Sequence, residues 1–267
     1  MKVMNLKLSV VISFLFFHIF VNGQLDAIHF EDALKKTAKD SVMSIILDSN
    51  DVASTIDLRI FPNIEELYFI NWGGDYSLLA QVNILKSLII YHSSDVSSID
   101  FSVYQNLEKL EISNMRLTAF PKGVTDLKKL KVLKVGEHNI FLDFYCDGPV
   151  YFKTQNKITE IPESISNLTA LEELDISYNP ISAFPSSFAK LTKLNYLHID
   201  GTSLTELPAC ITNPKNGTKF ILVYLKGKYN NFTRETKGYL RKQDMRASSV
   251  VKCVDRTRIQ RMCVQLK

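Results

Sequence analysis

The stretch Ile158–Leu204, ITEIPESISNLTALEELDISYNPISAFPSSFAKLTKLNYLHIDGTSL, says the same thing twice. Leu171, Leu174 and Ile176 recur 23 residues later as Leu194, Leu197 and Ile199, and Ile161-Pro162 recurs 23 residues later as Phe184-Pro185. The L-x-x-L-x-L template ends in an apolar/polar alternation, the period of a short strand with one buried face. One such strand cannot bury that face alone. Stacked copies share a continuous core and a single parallel sheet, and proline fixes φ in the turns between strands.

Working outward, the template starts at Val42, Ile64, Leu85, Leu107, Leu130, Leu171 and Leu194, with steps of 22, 21, 22, 23, 41 and 23 residues. A further step of 23 reaches Gly217, with Phe220 and Leu222 in the second and third apolar slots of an expected eighth coil. The prolines Pro121, Pro162, Pro185 and Pro208 are spaced 41, 23 and 23 and form an independent phase. Both phases contain one step of 41, which is a period of 23 plus an insertion of 18, expected near residues 139–155.

These repeats resemble the leucine-rich-repeat family, in its short variety with L-P-x-x-I on the convex side. The resemblance implies an α/β solenoid with a curved parallel sheet on the concave side. It also implies a convex side of short helical, 3-10 and irregular segments, and a cap at each end. It implies a binding role, toward a protein or a glycan, rather than catalysis. Asparagine occupies the family's ninth slot only at Asn50 and Asn179; Trp72, Ser93, Met115, His138 and Thr202 stand there elsewhere. The N-terminal half is therefore expected to be less regular.

Residues 1–23 read as a secretory signal peptide, with Lys2 and Lys7, an apolar run from Leu8 to Val21 and small residues before Gln24. The other reading, a membrane anchor, needs about 20 apolar residues, more than this run has. An exported protein is expected: secreted, periplasmic or at the cell surface, monomeric, and without a membrane span in the mature chain. The ending before Gln24 and the segment EDALKKTAKDSVMSIILDS (residues 31–49) resemble exported repeat proteins of Bacteroidetes-type bacteria. Residues 24–41 read as a helical N-terminal cap and 42–225 as the solenoid. Residues 226–267 read as a basic C-terminal cap or tail, with 12 Lys or Arg against 3 Asp or Glu, including a short helix in TRETKGYLRKQ (residues 233–243). That tail supports an alternative role, docking on anionic envelope polymers or lipids, which salt would weaken. Export argues against a nucleic-acid partner. Cys210, Cys253, Cys263 and Cys146 are disulfide candidates in an oxidising compartment, with Cys210 bridged to the tail as an expected staple; buried free thiols are the other reading. N-x-[ST] sequons occur at Asn167, Asn216 and Asn231.

Between the apolar letters of each strand lie the positions that face the concave surface. Near the N-terminal end they include Ile46, Tyr68, Ile70, Ile89 and Tyr91, read as an exposed apolar and aromatic patch. Farther along, Glu173, Asp175, Tyr196, His198 and Asp200 read as an acidic and aromatic cluster suited to a basic or polar partner. Ile and Tyr also simply favour sheets, and an acidic cluster is also a solvated face. The insertion carries Phe144, Tyr145, Tyr151 and Phe152 around Asp147-Gly148-Pro149, a turn signal between two apolar arms, expected to project and take part in binding. Nothing points to chemistry. There is no G-x-S-x-G, H-E-x-x-H or phosphate-binding loop, and His198 beside Asp200 has no nucleophile placed with it. No catalytic residue, cofactor or metal centre is expected.

Overall fold

The computed structural model describes residues 27–82, 84–136, 156–199, 201–212, 222–224 and 232–238. Among the described residues nine parallel strands form one sheet in strict chain order. They are β1 (Ile28–His29), β2 (Ser44–Asp48), β3 (Glu66–Ile70), β4 (Ser87–Tyr91), β5 (Lys109–Ser113), β6 (Val132–Lys134), β7 (Glu173–Asp175), β8 (Tyr196–His198) and β9 (Leu222–Tyr224). The pairing register matches like slots of the template: Leu67 with Leu88, Leu88 with Leu110, Leu110 with Leu133, Leu133 with Leu174, Leu174 with Leu197. The sequence repeat is thus the structural repeat, and a leucine-rich-repeat solenoid is what the residues build.

The inward letters of all coils merge into one apolar core running from Phe30 to Phe232. The convex side is a series of short 3-10 turns. Pro162 and Pro185 sit immediately before two of them, at φ −68°, where a missing N–H costs nothing and the backbone is preset for the turn.

The coils close in two ways. After β6 and β7 a buried asparagine ties the turn, whereas after β8 Thr202 stands in that slot and donates to the Ile199 carbonyl. Asn179 donates from Nδ2 to the carbonyls of Val135, Ile176 and Ser177, and its Oδ1 accepts from the Ile158 amide. Asn156 donates to the carbonyls of Ile112 and Val135 and accepts from the amides of Met115 and Leu117. Asn156 therefore fills the ladder slot that the sequence reading gave to His138, and the insertion shifts to 138–155, ahead of that slot. In the N-terminal half the same slot holds Trp72, buried and donating from Nε1 to the Asp75 carbonyl, and Ser93, whose hydroxyl accepts from the Trp72 amide and donates to the Phe69 carbonyl of the preceding coil and to the Tyr91 carbonyl of its own.

One slot earlier, the chain is left-handed in coil after coil: Asn71, His92, Asn114, Tyr178 and Gly201 all have φ between 49° and 63°. This turn carries each strand into its ladder residue.

The ends differ in detail from expectation. Of the helical cap expected over 24–41, the described part is not one helix. Ile28 and His29 form β1, which pairs with β2 and covers the sheet edge, and an α-helix spans Phe30–Lys35 (α1), followed by a 3-10 turn at Lys39–Ser41. At the other end Val223 pairs with Leu197, so Val223, and not Phe220, takes the second apolar slot of the eighth coil. The step from Leu197 to Val223 is thus three residues longer than the 23-residue period. A helical segment over 234–238 follows, and Phe232 is buried in the core. The Thr236 hydroxyl accepts from the Leu207 amide, and the Thr233 amide donates to the Thr205 carbonyl, so this segment is clasped to the last coil. Cys210 lies in the short helix α2 (Ala209–Thr212) as a free thiol, half-buried, with burial raising its pKa; the expected staple through it is not formed. Cys146, Cys253 and Cys263 lie outside the described residues, as do the signal segment, residues 239–267 and the insertion with Phe144, Tyr145, Tyr151 and Phe152. No helix among the described residues is long and apolar enough to cross a membrane.

Candidate functional site

The concave face is read from the strand register. Its middle row runs His29, Ile46, Tyr68, Ile89, Glu111, Lys134, Asp175, His198 and Tyr224 across the nine strands. The row changes character at β5, from apolar to charged.

In the apolar half the expected exposed patch is not exposed. Ile46, Tyr68 and Ile70 keep only 2%, 4% and 4% of their surface, and with Ala27 they form a second apolar cluster separate from the main core. Ile89 packs against it half-buried, and Tyr91 is half-buried beside His92. Adjacent strands stand close enough for such side chains to bury one another. The Tyr68 hydroxyl donates to Glu66 Oε2 at 3.3 Å, and Ser44 donates to the same oxygen at 2.8 Å. Burial and the Glu66 and Glu111 carboxylates push the Tyr68 phenol well above its ordinary pKa. This half packs its own concave side chains together, with Ile89 and Tyr91 left half-buried.

In the charged half Lys134 Nζ lies 2.9 Å from Glu173 Oε1, and His198 Nε2 lies 3.3 Å from the same oxygen. Lys109 and Glu111 pair at 3.8 Å on β5. The hydrogen bond from His198 lowers the Glu173 pKa, to about 2, against a burial effect in the other direction, with Lys134 adding to the lowering. For Lys134, burial opposes the charge, but Glu111, Glu173 and Asp175 together outweigh it and raise the pKa. Asp175 is buried and accepts from the amide and hydroxyl of Ser177. Gly136 leaves room for that carboxylate: a Cβ there would collide with Asp175 Oδ1 and with Ser177. Tyr196 pairs with Glu173 in the neighbouring row and keeps 40% of its surface exposed.

Of the expected acidic and aromatic cluster, the structure brings together Glu173, Asp175, Tyr196 and His198; Asp200 lies outside the described residues. Composition alone missed Lys134, Glu111 and Lys109, which turn the cluster from acidic to alternating. The signal for them was available, since the repeat register sets Lys134 between Glu111 and Asp175. Half-exposed charges held in fixed places on a sheet offer hydrogen bonds and ion pairs to a partner without ordering costs at binding. Among the described residues no group of three His, Cys, Asp or Glu side chains converges as a metal centre.

A family model described as leucine rich repeat matches residues 154–204. No curated protein matches the chain. Among solved structures, a leucine-rich-repeat protein of Leptospira interrogans is similar at 20% identity and TM-score 0.51, over 70% of this chain and 43% of that one. An internalin from Listeria monocytogenes is similar at 20% identity and TM-score 0.50, over 71% of this chain and 48% of that one. The chain thus spans less than half the length of each, and the likeness is one of fold.

Proposed function

We infer, from the premise that this is a leucine-rich-repeat protein, that the molecule is an exported binding scaffold that holds another protein against the charged half of its concave face. Solenoids of this type typically serve as interaction scaffolds, because stacked coils make a long, rigid, concave surface. The observation that carries the reading is the change of character at β5. From it onward, Glu111, Lys134 and Glu173 present fixed charges, His198 an imidazole and Tyr196 an exposed aromatic ring on adjacent strands. Tyrosine at the rim of such a surface supplies contact area at low entropic cost. The alternating signs favour a protein with its own mixed charges over a uniformly charged polymer or a neutral glycan.

The test is capture of a partner by the purified chain, repeated with Tyr196→Ala and with Lys134→Glu. Each variant is expected to lose about tenfold or more in affinity, as truncation of an anchor or reversal of a desolvated charge does. Unchanged capture by both variants overturns the reading. Capture that both variants keep but that fades as salt rises would instead favour docking through the basic tail.

A further inference from the structure

A groove of about 750 Å³ opens at the C-terminal ends of β4 and β5, away from the charged concave row, between residues 92–97 and 114–122. Its volume lies within the roughly 300–1,000 Å³ of small-ligand and short-peptide sites. Three features of its lining point to one kind of ligand.

The first is Asn114. It keeps 5% of its surface, and its Oδ1 is a buried acceptor with no hydrogen-bond partner. Its left-handed backbone, at φ 60°, is the ordinary turn of the repeat, but the unmet amide oxygen is not. Asn156 and Asn179, the other amides buried beside their strands, are fully engaged on both ends. A buried polar atom left unmatched in a native fold calls for a partner. Rotation about the Cβ–Cγ bond turns either end of the amide toward the groove, so Asn114 can meet a donor or an acceptor there.

The second is Arg116. It is exposed, lines the same groove and forms no ion pair among the described residues. It also has a positive φ, 57°, in a slot where no other described coil does. The other long cation at the groove, Lys122, is already held by Asp100 at 2.8 Å. Burial and the neighbouring Arg116 lower the His92 pKa, so His92 adds no second charge at neutral pH. Asp95 also lines the groove, its carboxylate accepting from the amide and hydroxyl of Ser97. Among the described residues the groove therefore offers a single uncommitted guanidinium, which is matched by a carboxylate.

The third is the apolar part of the lining, Val96, Leu117 and Phe120. These three have no use for a free carboxylate or a small sugar acid.

We propose that this groove is a second binding site, for a short acidic peptide segment that sets a carboxylate on Arg116, a main-chain amide on Asn114 and an apolar side chain against Val96, Leu117 and Phe120. An amide beside an amide makes a two-ended donor and acceptor match. The site is independent of the concave row and of the function inferred above.

The test uses the purified chain and three fluorescein-labelled hexapeptides, identical in leucines and glycines but with a central pair of glutamates, glutamines or lysines. Fluorescence polarisation is expected to show the glutamate peptide binding about tenfold more tightly than the glutamine one, the size of a charge-assisted hydrogen bond. Arg116→Gln is expected to erase that difference. Asn114→Gly, which keeps the left-handed turn and removes the amide, should weaken the glutamate and glutamine peptides alike. Tyr196→Ala should change neither, which separates this site from the concave one. Thermal unfolding of each variant shows whether it is folded. Equal binding of all three peptides, or an Arg116→Gln variant that is folded and still prefers glutamate, overturns the proposal. So does a heparin-derived hexasaccharide that binds through Arg116 while no peptide does.

Discussion

The two halves of the solenoid solve the same closure problem with different chemistry. From β2 to β5 the strands are five residues long, the ladder slot holds Asn50, Trp72, Ser93 and Met115 in turn, and the concave side carries a second apolar cluster. From β6 onward the described strands are three residues long, buried asparagines tie the turns after β6 and β7, and the concave side is charged. The first half is held by packing on both faces of its sheet. The second is held by the core face and by directional hydrogen bonds, which leaves its concave face available to something else. A repeat protein gains a binding surface where the sheet does not need that face for its own stability.

The largest expected effect breaks the packing half. Trp72 is buried, meets Phe69 edge-on with ring centroids 5.6 Å apart, and donates its indole hydrogen to Asp75. Trp72→Ala is expected to cost about 3–5 kcal/mol, the usual loss for a large buried aromatic, measured as a shift of the urea midpoint. Next comes the ladder. Asn156→Ala leaves two amides and two carbonyls without their partner and is expected to cost about 2–4 kcal/mol. Ser93→Ala, in the corresponding slot of the other half, is expected to cost about 1–2 kcal/mol. Equal losses would mean that the two halves do not differ as described.

The repeat, the strands and their register were legible in the sequence, because Leu and Ile at fixed slots leave one way to stack the coils. Two kinds of feature were not. The ladder position of Asn156 was hidden because the insertion falls directly before it, so counting from the strand arrives at His138. The burial of Ile46, Tyr68 and Ile70 was hidden because alternation says which face a side chain takes but not whether that face is covered. For the same reason the charged row was only half seen. Glu173, Asp175, Tyr196 and His198 stood out by type, whereas Lys134 and Glu111 matter through their neighbours across the sheet.

A smaller effect sharpens the comparison through pH. The Glu173 carboxylate has a pKa of about 2 in the fold, below its ordinary 4.5. Its contribution is complete above the ordinary value and is lost as the pH falls from there toward 2. Glu173→Gln should therefore lower stability near neutrality by about 1 kcal/mol, after allowance for partial solvent access, and by nothing measurable at the acid end. A difference that persists unchanged down to pH 2 would show that Glu173 acts by shape and not by charge. Smallest of all, Tyr196→Ala should move stability by less than about 0.5 kcal/mol, as exposed substitutions do, while removing partner binding.

The most direct test of the central claim is backbone hydrogen exchange of the chain with and without its captured protein partner. Protection is predicted over Val132–Lys134, Glu173–Asp175 and Tyr196–His198, with no change over Ser44–Asp48 and Glu66–Ile70. Protection confined to the apolar half, or to the convex 3-10 turns, would contradict it.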